Sequence, residues 1–188
     1  MKRAFKTLGF QVDLHRDLTA TAMFDLLQDY ASKTDELDKH DALAVVIFTH
    51  GESDFLYGVD GNVKIDRGVQ RTVFDSRPDN FRAGQDVHKV TNYSVKPRIA
   101  SFEDMLISYA TIVEHASVHH NTDNGSWYGH SLSFHLLQSA HEKDLLEILK
   151  DVEKSVRLEE TFEGHKQTTC YENRGFSKKL FFNPNFYD

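Results

Sequence analysis

At 188 residues, with three prolines and no low-complexity tract, the chain is read as one compact domain long enough to bury a core. Its 29 acidic residues outnumber 22 basic ones, and the net charge of −7 disfavours duplex nucleic acid or an anionic membrane as a partner. No apolar run approaches the roughly 20 residues needed to cross a bilayer. The start MKRAFKTLGF lacks an apolar signal region, and the single cysteine, Cys170, excludes an internal disulfide framework, so a soluble, cytoplasmic protein is expected.

In chain order, Lys2 to Leu8 is predicted as a short helix and GFQVDL, Gly9 to Leu14, as a short strand. Thr19 is a good N-cap. Ala22, Met23, Leu26, Leu27, Tyr30 and Ala31 follow it at helical spacing, which predicts an amphipathic helix from Thr19 to about Ser32. The charged stretch KTDELDKHD reads as a loop. Ala42 to Phe48 is apolar on both alternations, the pattern of a strand covered on two faces in a mostly parallel α/β sheet. FLYGVDGNVKI pairs two strand-like stretches across Asp60-Gly61, a favourable hairpin turn.

Arg67 to Ser101 mixes Gly, Pro, Asn, Arg and Asp without periodicity and is read as a long loop, with Val87 to Val95 as a candidate strand. Met105 to Thr111 reads as a strand. Gly125-Ser126 opens a helix carrying Trp127, Leu132, Phe134, Leu136 and Leu137. A second helix has Leu145, Ile148, Leu149, Val152 and Val156 as its apolar stripe, with Glu147, Lys150, Asp151, Glu153 and Lys154 on the wet side. Two short strands, near Lys166 to Tyr171 and Lys178 to Phe182, end the chain. The fold class is α/β.

Functional groups in a parallel α/β sheet gather beyond the carboxyl ends of its strands, where His50 and Gly51 would lie. A histidine there can act as a general base because its pKa lies near neutrality, and the glycine lets a backbone N–H approach a developing oxyanion. From the residues alone, a histidine that merely caps the strand and bonds a carbonyl is the better reading. His115 and His119, at i,i+4 spacing, and His120, His130 and His135 make the following region rich in possible metal ligands. No helical pattern puts His115 and His119 on one face. They are read as solvated side chains, with no metal or cofactor expected.

LGFQVDLHRDLT, AVVIFTHGES, FLYGVDG, MLISYATIVEHAS and NGSWYGHSL, in this order and spacing, together resemble the caspase family. The likeness covers most of Lys2 to Thr111 in blocks and continues nearly unbroken to Phe182, where HKQTTC and SKKLFF look like the family's last two strands. It implies a caspase-like, mostly parallel sheet flanked by helices, with residues 1–66 large-subunit-like, 67–101 a divergent linker and 102–188 small-subunit-like. The family's Ser-His-Gly-Glu tetrad is matched by Thr49-His50-Gly51-Glu52, and in the family that histidine works with a cysteine nucleophile.

The family's nucleophile signature is Gln-Ala-Cys, then Arg, Gln or Gly, then Gly, with the histidine roughly 50 residues upstream. The corresponding stretch, Gly84 to Ala100, reads GQDVHKVTNYSVKPRIA and contains no cysteine. Cys170 lies far downstream, where the resemblance places a strand cysteine and where a packed thiol is the better reading. A hydroxyl such as Thr91 or Ser94 is not deprotonated by an imidazole without a built triad. No catalytic residue is therefore expected to be competent, His50 and Gly51 being vestigial.

The resemblance also implies a pocket in which two arginines grip a substrate aspartate through bidentate hydrogen bonds. One of them belongs to a Ser-Trp-Arg stretch that is matched here by Ser117, Val118 and His119, and a neutral His119 cannot replace a guanidinium. The other, like the family's first strand, lies in family members before this chain's first residue. With the cysteine-bearing strand also missing or replaced, the sheet is expected to be incomplete and dependent on a partner. In the family the last strand pairs across a dimer axis, so Leu180, Phe181 and Phe182 are interface candidates for a homo- or heterodimer.

TVFD followed by Ser76 also resembles a caspase cleavage sequence. The expected function is that of a non-catalytic caspase homologue that modulates, in the inhibitory direction, activation of a true caspase by pairing with its proenzyme or small subunit. The alternatives are a cysteine-type endopeptidase of the family whose active form is another isoform, and an inactive truncated remnant.

Overall fold

The computed structural model describes residues 1–52, 55–61, 64–66, 104–112 and 125–182. In chain order the elements are α1 (Lys2–Thr7), α2 (Ala20–Ser32), α3 (Thr34–Leu37), β1 (Gly51–Glu52), β2 (Phe55–Tyr57), β3 (Lys64–Asp66), β4 (Met105–Tyr109), α4 (Trp127–Ser139), α5 (Leu145–Leu158) and β5 (Cys170–Arg174). They divide between two compact units, Met1–Arg16 with Asp104–Asp188, and Asp17–Glu103.

The first unit is organised by α5. Ile148, Val152 and Val156 recur every fourth residue on one face and, with Leu149, are buried against Leu132, Leu136 and Ala140 of the α4 side. Each such side chain contributes roughly 1.5–3 kcal/mol by leaving water, before ordering costs are subtracted. Both helices start where their caps dictate. The Ser126 hydroxyl accepts the Gly129 N–H at 3.1 Å. At α5, Asp144 accepts from the Glu147 N–H at 3.0 Å while the Glu147 carboxylate accepts from the Asp144 N–H at 3.1 Å, a reciprocal capping box. α1 packs on α4 through the buried Ala4, with Leu8 completing the same cluster. β4 and β5 form an antiparallel pair in the register Met105↔Arg174 to Tyr109↔Cys170, and Leu106 packs against the helical core.

The second unit joins α2 to a three-stranded antiparallel meander, β1-β2-β3. Thr19 caps α2, its hydroxyl accepting the Ala22 N–H at 3.1 Å. The hairpin turns as the sequence predicts: Tyr57 pairs with Lys64, and Gly61 takes φ +69°, a left-handed conformation that glycine adopts without a Cβ clash. The turn is fastened to the helix start, because Val59 N–H donates to the Leu18 carbonyl at 3.0 Å and Ala20 N–H to the Asp60 carboxylate at 3.3 Å. A Cβ on Gly58 would run into the backbone of Thr19 and Ala20, so this close approach requires glycine.

Four predicted elements differ. Ala42 to Phe48 is not a strand and is not covered on two faces: Leu43 is 50%, Val45 54%, Val46 42% and Phe48 63% exposed. An apolar run reports its own composition, but a strand exists only where another backbone completes its ladder, and no strand among the described residues pairs with this one. Gly9 to Leu14 is likewise no strand. Phe10 N–H instead folds back to the Phe5 carbonyl at 3.0 Å, and the two rings meet edge-on at 5.2 Å.

The strand placed near Lys166 to Tyr171 begins later, at Cys170, because Gln167 is drawn inward to donate from Nε2 to the Ala110 carbonyl at 2.6 Å. Lys178 to Phe182 is not a strand either. Its Leu180 carbonyl accepts the Leu145 N–H at 2.9 Å and Lys179 reaches the Asp144 carboxylate at 3.2 Å, so this segment completes the start of α5. The charged loop after α2 also holds one short helix, α3. The ladders among the described residues run antiparallel, with one isolated parallel bridge between Met105 and Gly175. Val87 to Val95 and the rest of 67–101 lie outside the described residues.

Candidate functional site

His50 sits immediately before β1, at the open end of the β1-β2 hairpin. Its carbonyl accepts the Tyr57 N–H at 2.9 Å, and the hydroxyl of Thr49 donates to the Tyr57 carbonyl. These two bonds fix the backbone that carries the imidazole, which is exposed. Gly51 opens β1 and pairs with Leu56. A histidine held at a strand terminus with its ring open to solvent can accept a proton from a bound group. Covalent chemistry additionally requires a nucleophile within hydrogen-bond reach.

Cys170, the one thiol of the chain, lies in the first compact unit, whereas His50 lies in the second. Cys170 is the first residue of β5, half-buried and laddered opposite Tyr109. Near it, the buried phenol of Tyr128 donates to the Ser108 hydroxyl at 2.6 Å, and burial pushes the Tyr128 pKa up. β5 itself is half-buried at its two ends and exposed from Tyr171 to Asn173.

Ser117, Val118 and His119, the expected pocket remnants, lie outside the described residues, as do Gly84 to Ala100, the Asp75–Ser76 bond and the histidines His115 and His120. His130 and His135 lie on α4. His135 Nε2 is 2.8 Å from the Ser155 hydroxyl on α5, and burial lowers its pKa. Among the described residues no three histidine, cysteine, aspartate or glutamate side chains gather as a metal site. Leu180, Phe181 and Phe182, the interface candidates, follow the start of α5. Phe182 packs against the core and lies 6.0 Å from Phe10, while Phe181 remains 39% exposed.

Two groupings were not anticipated from sequence. Asp151 accepts from Lys143 at 2.8 Å and from Lys154 at 3.0 Å, and these bonds hold its carboxyl at about 2. The Lys154 contact is a plain i,i+3 pair that the sequence displays. The Lys143 contact and the His135–Ser155 bond depend on how the segments around α4 and α5 come together, which no local pattern encodes.

The family profile described as the caspase domain matches residues 1–83 and 76–181. Caspase Dronc of Drosophila melanogaster is 37% identical over 95 residues, half of this chain and 21% of that protein. Caspase-1 of the same organism is 33% identical over 197 residues, covering 93% of this chain and 59% of that protein. The chain thus spans about a fifth and about three fifths of these two relatives. The crystal structure of Caspase-1 from Spodoptera frugiperda superposes with a TM-score of 0.79 at 24% identity, over all of this chain and 80% of that one. That likeness establishes a caspase-like α/β fold, and no helix among the described residues is long and apolar enough to cross a membrane. With the profile's two matches together spanning residues 1–181, the chain belongs to the caspase-domain family.

Proposed function

We propose that this chain is a non-catalytic caspase homologue that modulates, and in its main effect inhibits, activation of a true caspase by pairing with its proenzyme or small subunit. The observation that carries the reading is the placement of the chain's only cysteine. Cys170 is a half-buried strand residue laddered to Tyr109, and the stretch where the family's nucleophile signature would fall contains no thiol. Without a thiolate, an imidazole at His50 has no attacking group to activate. The exposed apolar segment Leu43 to Phe48 supports partner dependence, since contiguous apolar surface of this kind is characteristic of interaction sites.

The test follows processing of a caspase zymogen, from the same organism, with increasing amounts of the purified chain. Slower processing, with no cleavage of aspartyl peptide substrates by the chain itself, is the expected result. Turnover by the chain alone, or covalent labelling by an aspartyl acyl-enzyme probe, would contradict it.

A further inference from the structure

α4 has two apolar faces, and the core uses one of them. Leu132 and Leu136 pack inward with α5, whereas Phe134 is 54% and Leu137 43% exposed. Three residues apart, these two side chains are neighbours on the helix surface. His130, four residues before Phe134, and His141, four residues after Leu137, are exposed too and continue the same stripe. His141 stays on it because Ala140, which ends the helix, keeps α-helical backbone angles, φ −65° and ψ −13°. Steps of four, three and four residues are the spacing of a coiled-coil seam, here about 17 Å long.

Charge says where two copies of the chain can touch. The chain carries −7, yet the α4 sequence WYGHSLSFHLLQS contains no aspartate, glutamate, lysine or arginine. Like-charge repulsion between copies is therefore least along this helix, and a partner selected by charge finds nothing on it to recognise.

The stripe is also its own complement. When two α4 helices are laid antiparallel about a two-fold axis passing between His135 and Leu136, Phe134 of each faces Leu137 of the other. His130 then faces His141, and along the margins the half-buried Ser133 faces the exposed Gln138. Apolar meets apolar, imidazole meets imidazole and hydroxyl meets amide, which is the self-matching that a two-fold contact requires.

We infer that α4 is a self-association face, along which two copies of this chain pair antiparallel about a two-fold axis through two Phe134–Leu137 contacts. The inference goes beyond the proposed caspase pairing and does not rest on it. So short a seam buries less than the roughly 1,200–2,000 Å² of a stable interface, and the dimer is accordingly weak, with a Kd on the order of 100 µM.

Sedimentation equilibrium of the full chain, at concentrations spanning that Kd, compares the parent with F134E, L137K and L158S, the last altering an exposed leucine at the end of α5. All three side chains are exposed, so each variant should melt with the parent. F134E and L137K should each weaken self-association about tenfold or more, while L158S matches the parent. Mixed in equal amounts, F134E and L137K should associate again as a heterodimer. The introduced carboxylate of one copy then faces the introduced ammonium of the other, and the remaining leucine faces the remaining phenylalanine. A parent that stays monomeric throughout would overturn the inference, as would self-association that F134E leaves unchanged. A mixture of the two variants that stays monomeric would rule out the two-fold antiparallel pairing. A monomeric parent whose binding to a caspase is abolished by F134E would reassign the stripe to that partner.

Discussion

Asp151 shows how one residue's surroundings become a measurable property. Hydrogen bonds from Lys143 first, then Lys154, hold its carboxyl at about 2, below the ordinary 3.8. A carboxylate whose folded pKa is depressed contributes stability above the unfolded value and loses it as pH falls through the folded one, so this contribution disappears between about pH 4 and pH 2. D151N should lower stability at neutral pH by about 1 kcal/mol, allowing for solvent screening. The gap between parent and variant in denaturant titrations should close near pH 2, and a gap unchanged at that pH would show that the two lysine contacts contribute nothing. His135 acts in a higher window. Burial lowers its pKa, so the unfolded chain takes up a proton first as pH drops below about 6.5, and stability should fall there.

At the scale of elements, Gly58 joins the β2-β3 turn to the start of α2, and its missing Cβ is what allows the two backbones to meet. G58A should destabilise the second unit by several kcal/mol, read as loss of protection in amide exchange at Val59 and Ala20, whose N–H groups donate across this contact. Unchanged protection would mean that the turn and helix are not held by this approach.

The same scale explains what the sequence could and could not disclose. Thr19, Ser126 and the stripe from Ile148 to Val156 announce their helices because a cap and a helical face are satisfied within a few residues of chain. The Asp60-Gly61 hairpin is legible for the same reason. Gly9 to Leu14, Ala42 to Phe48 and Lys178 to Phe182 carry strand-like composition, yet a ladder needs a second backbone that composition does not specify. In the last case the Leu145 N–H claims the Leu180 carbonyl instead. Of the candidate site, His50 was expected beyond the end of a strand, but Ala42 to Phe48 forms none, and His50 instead precedes β1, where backbone pairing with β2 decides its place. The seating of Cys170 opposite Tyr109 was not legible either, because it depends on pairing between segments some sixty residues apart in sequence.

For the whole molecule, membership of the caspase-domain family and a caspase-like fold coexist with a chain that supplies one strand cysteine and no thiol in the stretch that should bear the nucleophile. Its exposed large apolar residues include Leu43, Val45, Val46 and Phe48 in one compact unit and Phe134, Leu158 and Phe162 in the other, which supports the proposal that the chain acts by association. The most direct test is sedimentation velocity of this chain alone and mixed with an active caspase from the same organism, with peptide turnover followed in the same samples. The account predicts a mixed complex and reduced caspase turnover, with no cleavage by the chain itself. Independent sedimentation of the two proteins with turnover unchanged, or cleavage by this chain alone, would contradict it.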